Sequence, residues 1–341
     1  MDRGVIAVIP VLVELSGENR VLARGEASAA AEALGGREAR EFPPIDALVA
    51  LELPDREAAR GLAARLSLAR RCLVPLDGMP TVGDRLEVEG RSGRTAAVRR
   101  IGSPSGQPDP VILEAGRRYA AGGGRIELRH PERRFWLARD EEGIDRLLEE
   151  VGTIDRRQLK ARRMPALPFQ RPVTLPPHLA RAATNLARVR RGDRVLDPFV
   201  GTGALLAEAG LLGARVYGID RSATMVRGAL RNLAHIGVAA EAMIEGDAGA
   251  VDFEEPGTRF DAIVTDPPYG RSSSTAGEPA DRLVARVVPR WAREVAPGGF
   301  VVVIVPAGAA AIEGVGPLLS AIPSRVHRSL TREFRVYRRP S

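Results

Sequence analysis

Residues 260–270 read FDAIVTDPPYG. An apolar run of strand length ends in an acid, two prolines, an aromatic ring and a glycine. Proline presets φ and removes a backbone donor, so Pro267 and Pro268 stop the strand, while Gly270 supplies permissive geometry for an exit turn. A turn alone does not require Asp266 and Tyr269 on either side of the prolines. Two adjacent prolines stiffen the backbone and leave carbonyls that no ladder uses. Such a lip presents a carboxylate beside an aromatic face, which suits a planar group bearing an amine.

Around this stretch the pattern is regular from Asp193 onward. RVLDPF, ARVYGID, EAMIEGD, FDAIVTDPP and GFVVVIVP are short apolar strands separated by helical stretches, which predicts βαβ units and a buried parallel sheet. A helix is expected over Ala280–Val295, with Val284, Val288, Trp291 and Val295 on one face and a kink at Pro289. The tail SRVHRSLTREFRVYRR alternates like an antiparallel edge hairpin. The first strand runs into DPFVGTGALLAEAG, where Gly201 and Gly203 are expected to let backbone approach a ligand at a strand-to-helix turn. This is not G-x-G-x-x-G, because Leu206 holds the third glycine position, and no G-K-[ST] follows to make a Walker loop. Asp220 ends the second strand, 23 positions after Asp197, where an acid accepts from ribose hydroxyls. Helix capping is its other possible role, although Ser222 is available for that. Asp247, in EGDA, suits an adenine amine, yet a loop acid is the commoner meaning of such a residue. Four successive strands thus end in Asp197, Asp220, Asp247 and Asp266, and their shared position argues for one site.

The first half mixes short strands and helices. Val5–Leu15 and Ala47–Leu53 read as strands around a helix near Ser28–Leu34, which Gly35 and Gly36 stop. Leu62, Leu66, Ala69 and Leu73 repeat at helical spacing, predicting a helix over Arg56–Val74. Arg100–Pro110 reads as a loop, followed by a helix over Val111–Ala121 and a strand-like IELRHP. ARRMPALPFQRPVTLPP is proline-dense and aperiodic, a linker ending where a helix begins at His178.

The 341 residues are 44% hydrophobic, enough for two or three ordinary cores. The single Cys72 excludes a disulfide framework, and His130, His178, His235 and His327 lack ligand spacing, so no structural metal is expected. The run Val5–Val13 is too short to span a bilayer and is broken by Pro10. Ala27-Ser28-Ala29 mimics a cleavage triplet, but the start lacks a basic segment; the reading is cytoplasmic. Net charge is +7, with arginine supplying every basic side chain except Lys160. That excess fits a polyanionic partner and equally fits the codon bias of a GC-rich genome.

The order DPFVGTG, GID, GDA and TDPPYG resembles the class I S-adenosylmethionine-dependent amino-methyltransferases, whose catalytic strand ends in [DNS]-P-P-[YFW]. The resemblance implies an α/β fold: a C-terminal Rossmann-like, doubly wound, mostly parallel sheet with an antiparallel edge hairpin. It also implies S-adenosyl-L-methionine as cofactor, held by Thr174, Leu175, Asp197, Phe199, Gly201, Gly203, Asp220, Arg221, Asp247, Ala248 and Asp266. Asp266, Pro267, Pro268 and Tyr269 would be catalytic, and TLPP at Thr174 and Leu175 resembles the entry loop that touches the methionine carboxylate.

Over nearly the full length, ELSGEN, RLSLARR, IELRHPERRFW, DPPYGRSSS and HRSLTR resemble the archaeal THUMP-containing tRNA guanine N2-methyltransferases, which act on guanosine 10. Two departures are Val200, where that family commonly has Cys, and ALPFQRPV in place of a more His-rich run. The resemblance implies four parts: an N-terminal ferredoxin-like α+β part at 1–55, a THUMP RNA-binding domain at 56–148, a linker at 149–172 and the methyltransferase domain at 173–341. It further implies tRNA as partner, no membrane, no obligatory metal and a monomer. Arg70, Arg71, Arg117, Arg118, Arg125 and Arg129 would contact phosphates, giving salt-dependent binding. A DNA amino-methyltransferase acting on adenine N6 or cytosine N4 would share DPPY and the glycine turn, but no DNA-reading module is evident. A non-catalytic RNA-binding protein with a relic domain is the other rival; intact Asp266, Tyr269 and the glycine turn speak against decay.

Overall fold

The computed structural model describes residues 8–39, 48–76, 82–102, 109–163, 165–172, 174–253, 259–269, 277–328 and 330–340. The chain forms two compact units, one of Met1–Leu15, Leu34–Ala64 and Ala69–Ile154, the other of Ser16–Ala33, Arg65–Leu68 and Asp155–Ser341.

The first unit is a single mixed sheet. Its strands are β1 (Ile9–Leu15), β2 (Arg37–Glu38), β3 (Leu48–Leu53), β4 (Ala69–Pro75), β5 (Thr95–Arg100), β6 (Arg125–Ile126), β7 (Arg133–Arg139) and β8 (Asp145–Thr153). They lie in the order β2-β3-β1-β4-β8-β7-β5-β6. Alternation along β7 sends Phe135 and Leu137 into one core and Trp136 and Ala138 into another. Of the first four helices, α1 (Arg20–Ala33), α2 (Arg56–Arg65), α3 (Val82–Gly90) and α4 (Pro110–Ala121), the last two cover the Phe135 face. They approach closely because Gly90 and Gly122 have no Cβ: one added at Gly90 would lie 2.1 Å from the Tyr119 carbonyl oxygen.

Several expectations change here. The predicted helix over Arg56–Val74 stops at Arg65, and Ala69–Pro75 is a strand. The helical spacing is overridden because Cys72 and Leu73 pair with β1 on one side and β8 on the other. IELRHP contributes only Ile126, the second residue of the two-residue β6. The helix expected near Ser28–Leu34 begins at Arg20. The expected boundary at residue 55 falls inside one continuous ladder, since β1 pairs with both β3 and β4. The expected linker from 149 overlaps β8, which runs to Thr153. Residues Val5–Ala7 and Ala47 of the predicted strands lie outside the described residues.

The second unit holds β9 (Arg194–Asp197), β10 (Arg215–Asp220), β11 (Ala240–Glu245), β12 (Phe260–Thr265), β13 (Val295–Pro306), β14 (Leu318–His327) and β15 (Leu330–Arg338). Their order is β11-β10-β9-β12-β13-β15-β14; the first five are parallel, and β15 runs antiparallel to β13 and β14. The parallel sheet and edge hairpin read from the sequence are both present. Helices α5 (Arg156–Ala161), α6 (Pro177–Leu186), α7 (Ala204–Leu211), α8 (Ala223–His235) and α9 (Ala280–Ala292) complete it. In α9, Val288 and Trp291 are buried and Pro289 sits within the helix as read, but Val295 already belongs to β13. Tyr217, Phe253, Phe260 and Trp291 meet edge-on beside the sheet.

Helix α1 also belongs to this unit. Its alanine-rich face packs on α6, and Gly25 leaves room for Ile322 of β14. Fully buried Glu26 organises the contact. Its Oε1 accepts from Ser67 N at 2.9 Å, Ser67 Oγ at 2.6 Å and Asn185 Nδ2 at 2.9 Å, and its Oε2 accepts from Leu68 N at 2.8 Å. Arg65 donates to Asn185 Oδ1 at 2.9 Å and to the Val189 carbonyl at 2.7 Å. Among the described residues no helix is long and apolar enough to cross a membrane, and no group of three or more His, Cys, Asp or Glu side chains is placed to hold a metal ion.

Candidate active site

Parallel strands leave their carboxyl ends at one edge of the sheet, and a crevice opens where successive connections diverge. Here β9 sits between β10 and β12, so the chain leaves β9 for one side of the sheet and later returns on the other. At that point lies a cavity of about 440 Å³. All four strand-end acids line it, together with Thr174, Leu175, Phe199, Gly201, Arg221, Ala248, Pro267, Pro268 and Tyr269.

Asp197 is 1% exposed. Its Oδ1 accepts from Thr265 Oγ1 at 2.7 Å and Phe199 N at 3.0 Å, yet burial dominates and pushes its pKa up to about 7. Asp220 secures the glycine turn: Oδ2 accepts from Gly201 N at 2.9 Å and Oδ1 from Ser222 N at 2.9 Å. Ser222 stands at the N-cap of α8 without a side-chain cap bond, and its own backbone N–H is one of the two that Asp220 takes. Gly203 does not line the cavity. Its φ of 84° and the Ala229 Cβ, 3.2 Å from where its own Cβ would be, show that it serves the left-handed helix start and packing against α8.

Asp247 is held by Arg286, whose Nη1 and Nη2 donate to its two oxygens at 3.1 and 3.2 Å; this pairing lowers its pKa. The neighbouring Ala248 carbonyl accepts from Trp291 Nε1 and Arg290 Nη1, both at 2.8 Å, which fixes that wall. Opposite, the proline-rich segment is anchored rather than loose. Asn232 Oδ1 accepts from Phe169 N at 2.9 Å, while its Nδ2 donates to the Phe169 carbonyl at 2.9 Å and the Thr202 carbonyl at 3.0 Å. One buried amide therefore ties the entry loop to the glycine turn. The Phe169 ring fits against Gly228, where an added Cβ would lie 2.1 Å from its Cδ1. Asn232→Ala is expected to lower stability by about 1–3 kcal/mol, since it strands buried backbone groups at both loops; urea unfolding with an unchanged midpoint would contradict this.

At the fourth strand end, Asp266 Oδ1 is buried without a well-formed hydrogen bond. Burial raises the Asp266 pKa to about 6, against the lowering effects of the Arg332 guanidinium and the Tyr269 hydroxyl. Arg332 Nη1 lies 3.6 Å from Asp266 Oδ2, and its Cζ is 5.5 Å from the Tyr269 ring centroid. Sequence reading missed Arg332. It ends the HRSLTR stretch in the edge hairpin, far along the chain, and nothing in that stretch places it at the DPPY lip. Arg171, Met225 and Arg286 are further site residues without a motif. Gly270 and the following RSSS lie outside the described residues.

The six arginines expected to grip RNA belong to the first unit, where the sheet separates them. Arg70 and Arg71 lie on β4, while Arg117 and Arg118 lie on α4 and Arg125 on β6, with β8, β7 and β5 between β4 and β6. Arg71 is withdrawn from the surface: Nε meets Glu14 at 2.6 Å, and its Cζ stacks 3.6 Å from the Trp136 centroid. Arg70 pairs with Glu14, Arg117 with Glu114, and Arg118 with Glu114 and Glu87. Arg125 and Arg129 are exposed.

A doubly wound sheet whose glycine turn and acidic strand ends meet a DPPY lip defines a Rossmann-like methyltransferase domain. Residues 166–313 match the family described as UPF0020, RMKL-like methyltransferase domain. The chain is 39% identical over 196 residues to the tRNA (guanine(10)-N2)-dimethyltransferase of Methanothermobacter thermautotrophicus, covering 57% of each chain. It is 41% identical over 173 residues to that of Pyrococcus abyssi, covering 50% of this chain and 51% of the relative. It thus spans about half the length of these relatives. It also covers 98% of a Methanothermococcus thermolithotrophicus protein named probable tRNA (guanine(10)-N2)-dimethyltransferase, at 31% identity over 47% of this chain. The chain belongs to the tRNA (guanine(10)-N2)-dimethyltransferase family.

Proposed function

We propose that this protein transfers a methyl group from S-adenosylmethionine to the exocyclic N2 amine of a guanosine in tRNA, at position 10, forming m2G, m2,2G or both. The observation that carries this reading is the buried Asp266 Oδ1, which lacks a well-formed hydrogen bond where the cavity meets the DPPY lip. The cavity suits the methyl donor: its volume lies within the range of small-ligand sites, and it combines apolar walls with a few fixed polar groups. Asp220 would take the ribose hydroxyls, Asp247 and Ala248 the adenine, and Thr174 and Leu175 the methionine end. The donor supplies an electrophilic methyl on a sulfonium.

The guanine amine is a poor nucleophile because its lone pair is delocalised into the ring. With Asp266 and the Pro267 carbonyl accepting its two N–H bonds, the nitrogen pyramidalises and directs its lone pair at the methyl. An N–C bond forms as the C–S bond breaks. Transfer would leave the donor as a neutral thioether, and the Asp266 carboxylate is placed to accept the proton that the nitrogen would give up. Tyr269 offers a stacking face that offsets part of the few kcal/mol needed to unstack the base. The first unit, with its exposed arginines, would hold the tRNA.

Asp266 must be ionised to accept these bonds. Because its pKa is raised to about 6, the single-turnover rate is expected to fall about tenfold per pH unit below that value. A rate flat down to pH 5 would contradict an accepting role. The function itself is tested by incubating the protein with methyl-labelled S-adenosylmethionine and unmodified tRNA transcript, then analysing nucleosides by mass spectrometry. Label in N2-methylguanosine or N2,N2-dimethylguanosine is expected; no transfer, or label in DNA adenine or cytosine, would overturn the reading.

A further inference from the structure

Asp266 accounts for an amine. It does not account for the cation beside it. Arg332 projects from β15 into the cavity wall, its side chain 13% exposed. Its nearest carboxylate contact is Nη1 to Asp266 Oδ2 at 3.6 Å, well beyond the 2.7–2.9 Å of a charge-assisted hydrogen bond. Its Nε is buried and has no acceptor among the described residues. A guanidinium offers five donors in a rigid plane, and an unmet buried donor is costly. Beyond Asp266 and the Tyr269 hydroxyl beside it, an acceptor entering from the cavity would complete the fork.

Resting on the guanosine reading, we propose that Arg332 is a specificity-determining residue that donates to the C6 keto oxygen of the target base. The three groups at the lip match one edge of that base. Asp266 is an acceptor for the amine, Tyr269 a face for the ring, and Arg332 a donor beside Asp266 for a carbonyl on the same edge. Purines without the keto group leave that donor buried and unmet, and a site built around a polar contact rejects an analogue that lacks it.

The test compares guanine with 2-aminopurine at the target position of an otherwise identical tRNA. The analogue keeps the C2 amine and lacks the C6 oxygen. Single-turnover methylation is measured for the wild type, R332A and R332K, and the guanine-to-2-aminopurine rate ratio is compared across the three, which cancels the intrinsic reactivity of the bases. The ratio is expected to fall about 10- to 100-fold in R332A, the effect of one charge-assisted hydrogen bond, with R332K between. If both variants keep the wild-type ratio, the proposal is wrong, even where both are slower on guanine. Absence of N2 transfer by the wild type would instead overturn the reading on which it rests. S-adenosylmethionine titration of each variant separates a lost fold from a lost contact, and R332K keeps the comparison available if R332A does not fold.

Discussion

Replacing Asp266 with alanine is expected to lower the single-turnover methylation rate by roughly 100- to 1000-fold, the usual effect of deleting a preorganised polar group at a reacting centre. Affinity for S-adenosylmethionine should stay within about threefold of wild type, because an interaction made mainly in the transition state leaves ground-state binding nearly unchanged. The fold supports this separation. The glycine turn is held by Asp220, the third wall by Trp291, Arg290 and Arg286, and the entry loop by Asn232. None of these contacts passes through Asp266. Asp266→Asn keeps the shape and one acceptor oxygen without the charge, so its rate should fall between the two. Calorimetric titration alongside rapid-quench kinetics decides: a large loss of cofactor affinity at an unchanged rate for the bound complex would assign Asp266 to binding.

The second large effect is expected at a residue that does not line the cavity. Glu26→Ala removes the acceptor of four hydrogen bonds inside the second unit and leaves Ser67 N, Leu68 N and Asn185 Nδ2 around a void. Disrupting a buried polar network of this kind costs about 3–5 kcal/mol. Glu26→Gln should cost less, because burial already raises the Glu26 pKa and the amide retains one acceptor oxygen. Denaturant unfolding followed by tryptophan fluorescence is a direct measure, since Trp291 lies in the core of this unit. An Ala variant as stable as wild type would show that the network contributes nothing net. The same contacts bear on truncation. A fragment starting at residue 173 lacks Arg20–Ala33 and Arg65–Leu68, so it exposes the buried face of α6 and should be far less stable than the full chain.

The strand-end acids were legible because strands and their exits are local. A parallel strand is a short, largely apolar run; Asp197 and Asp220 close theirs, Asp266 follows its strand directly and Asp247 stands two positions beyond β11. The hairpin was legible for the same reason. What escaped was set by long-range contact. HRSLTR ends in Arg332 but does not say what that side chain meets; only the pairing of β15 with β13 brings it to Asp266. Ala69–Pro75 follows helical spacing, yet two strand partners outweigh the spacing. Gly203 illustrates a different limit. The sequence marks a position that must be glycine without saying whether a ligand or a neighbouring helix imposes it, and here it is α8.

The placement of α1 also sets a timetable for synthesis. Glu26 and Asn185 are 159 positions apart. At about 5–20 residues per second, the helix emerges roughly 8–30 s before the residue that completes its network. Every strand of the first unit's sheet has been made by Thr153, before α6 exists. The early helix must therefore be passed over while the sheet on both sides of it in the chain assembles, its alanine face kept in reserve for a partner not yet translated. Long-range closure of this kind is slow, and slow translation or a chaperone that shields α1 would favour it.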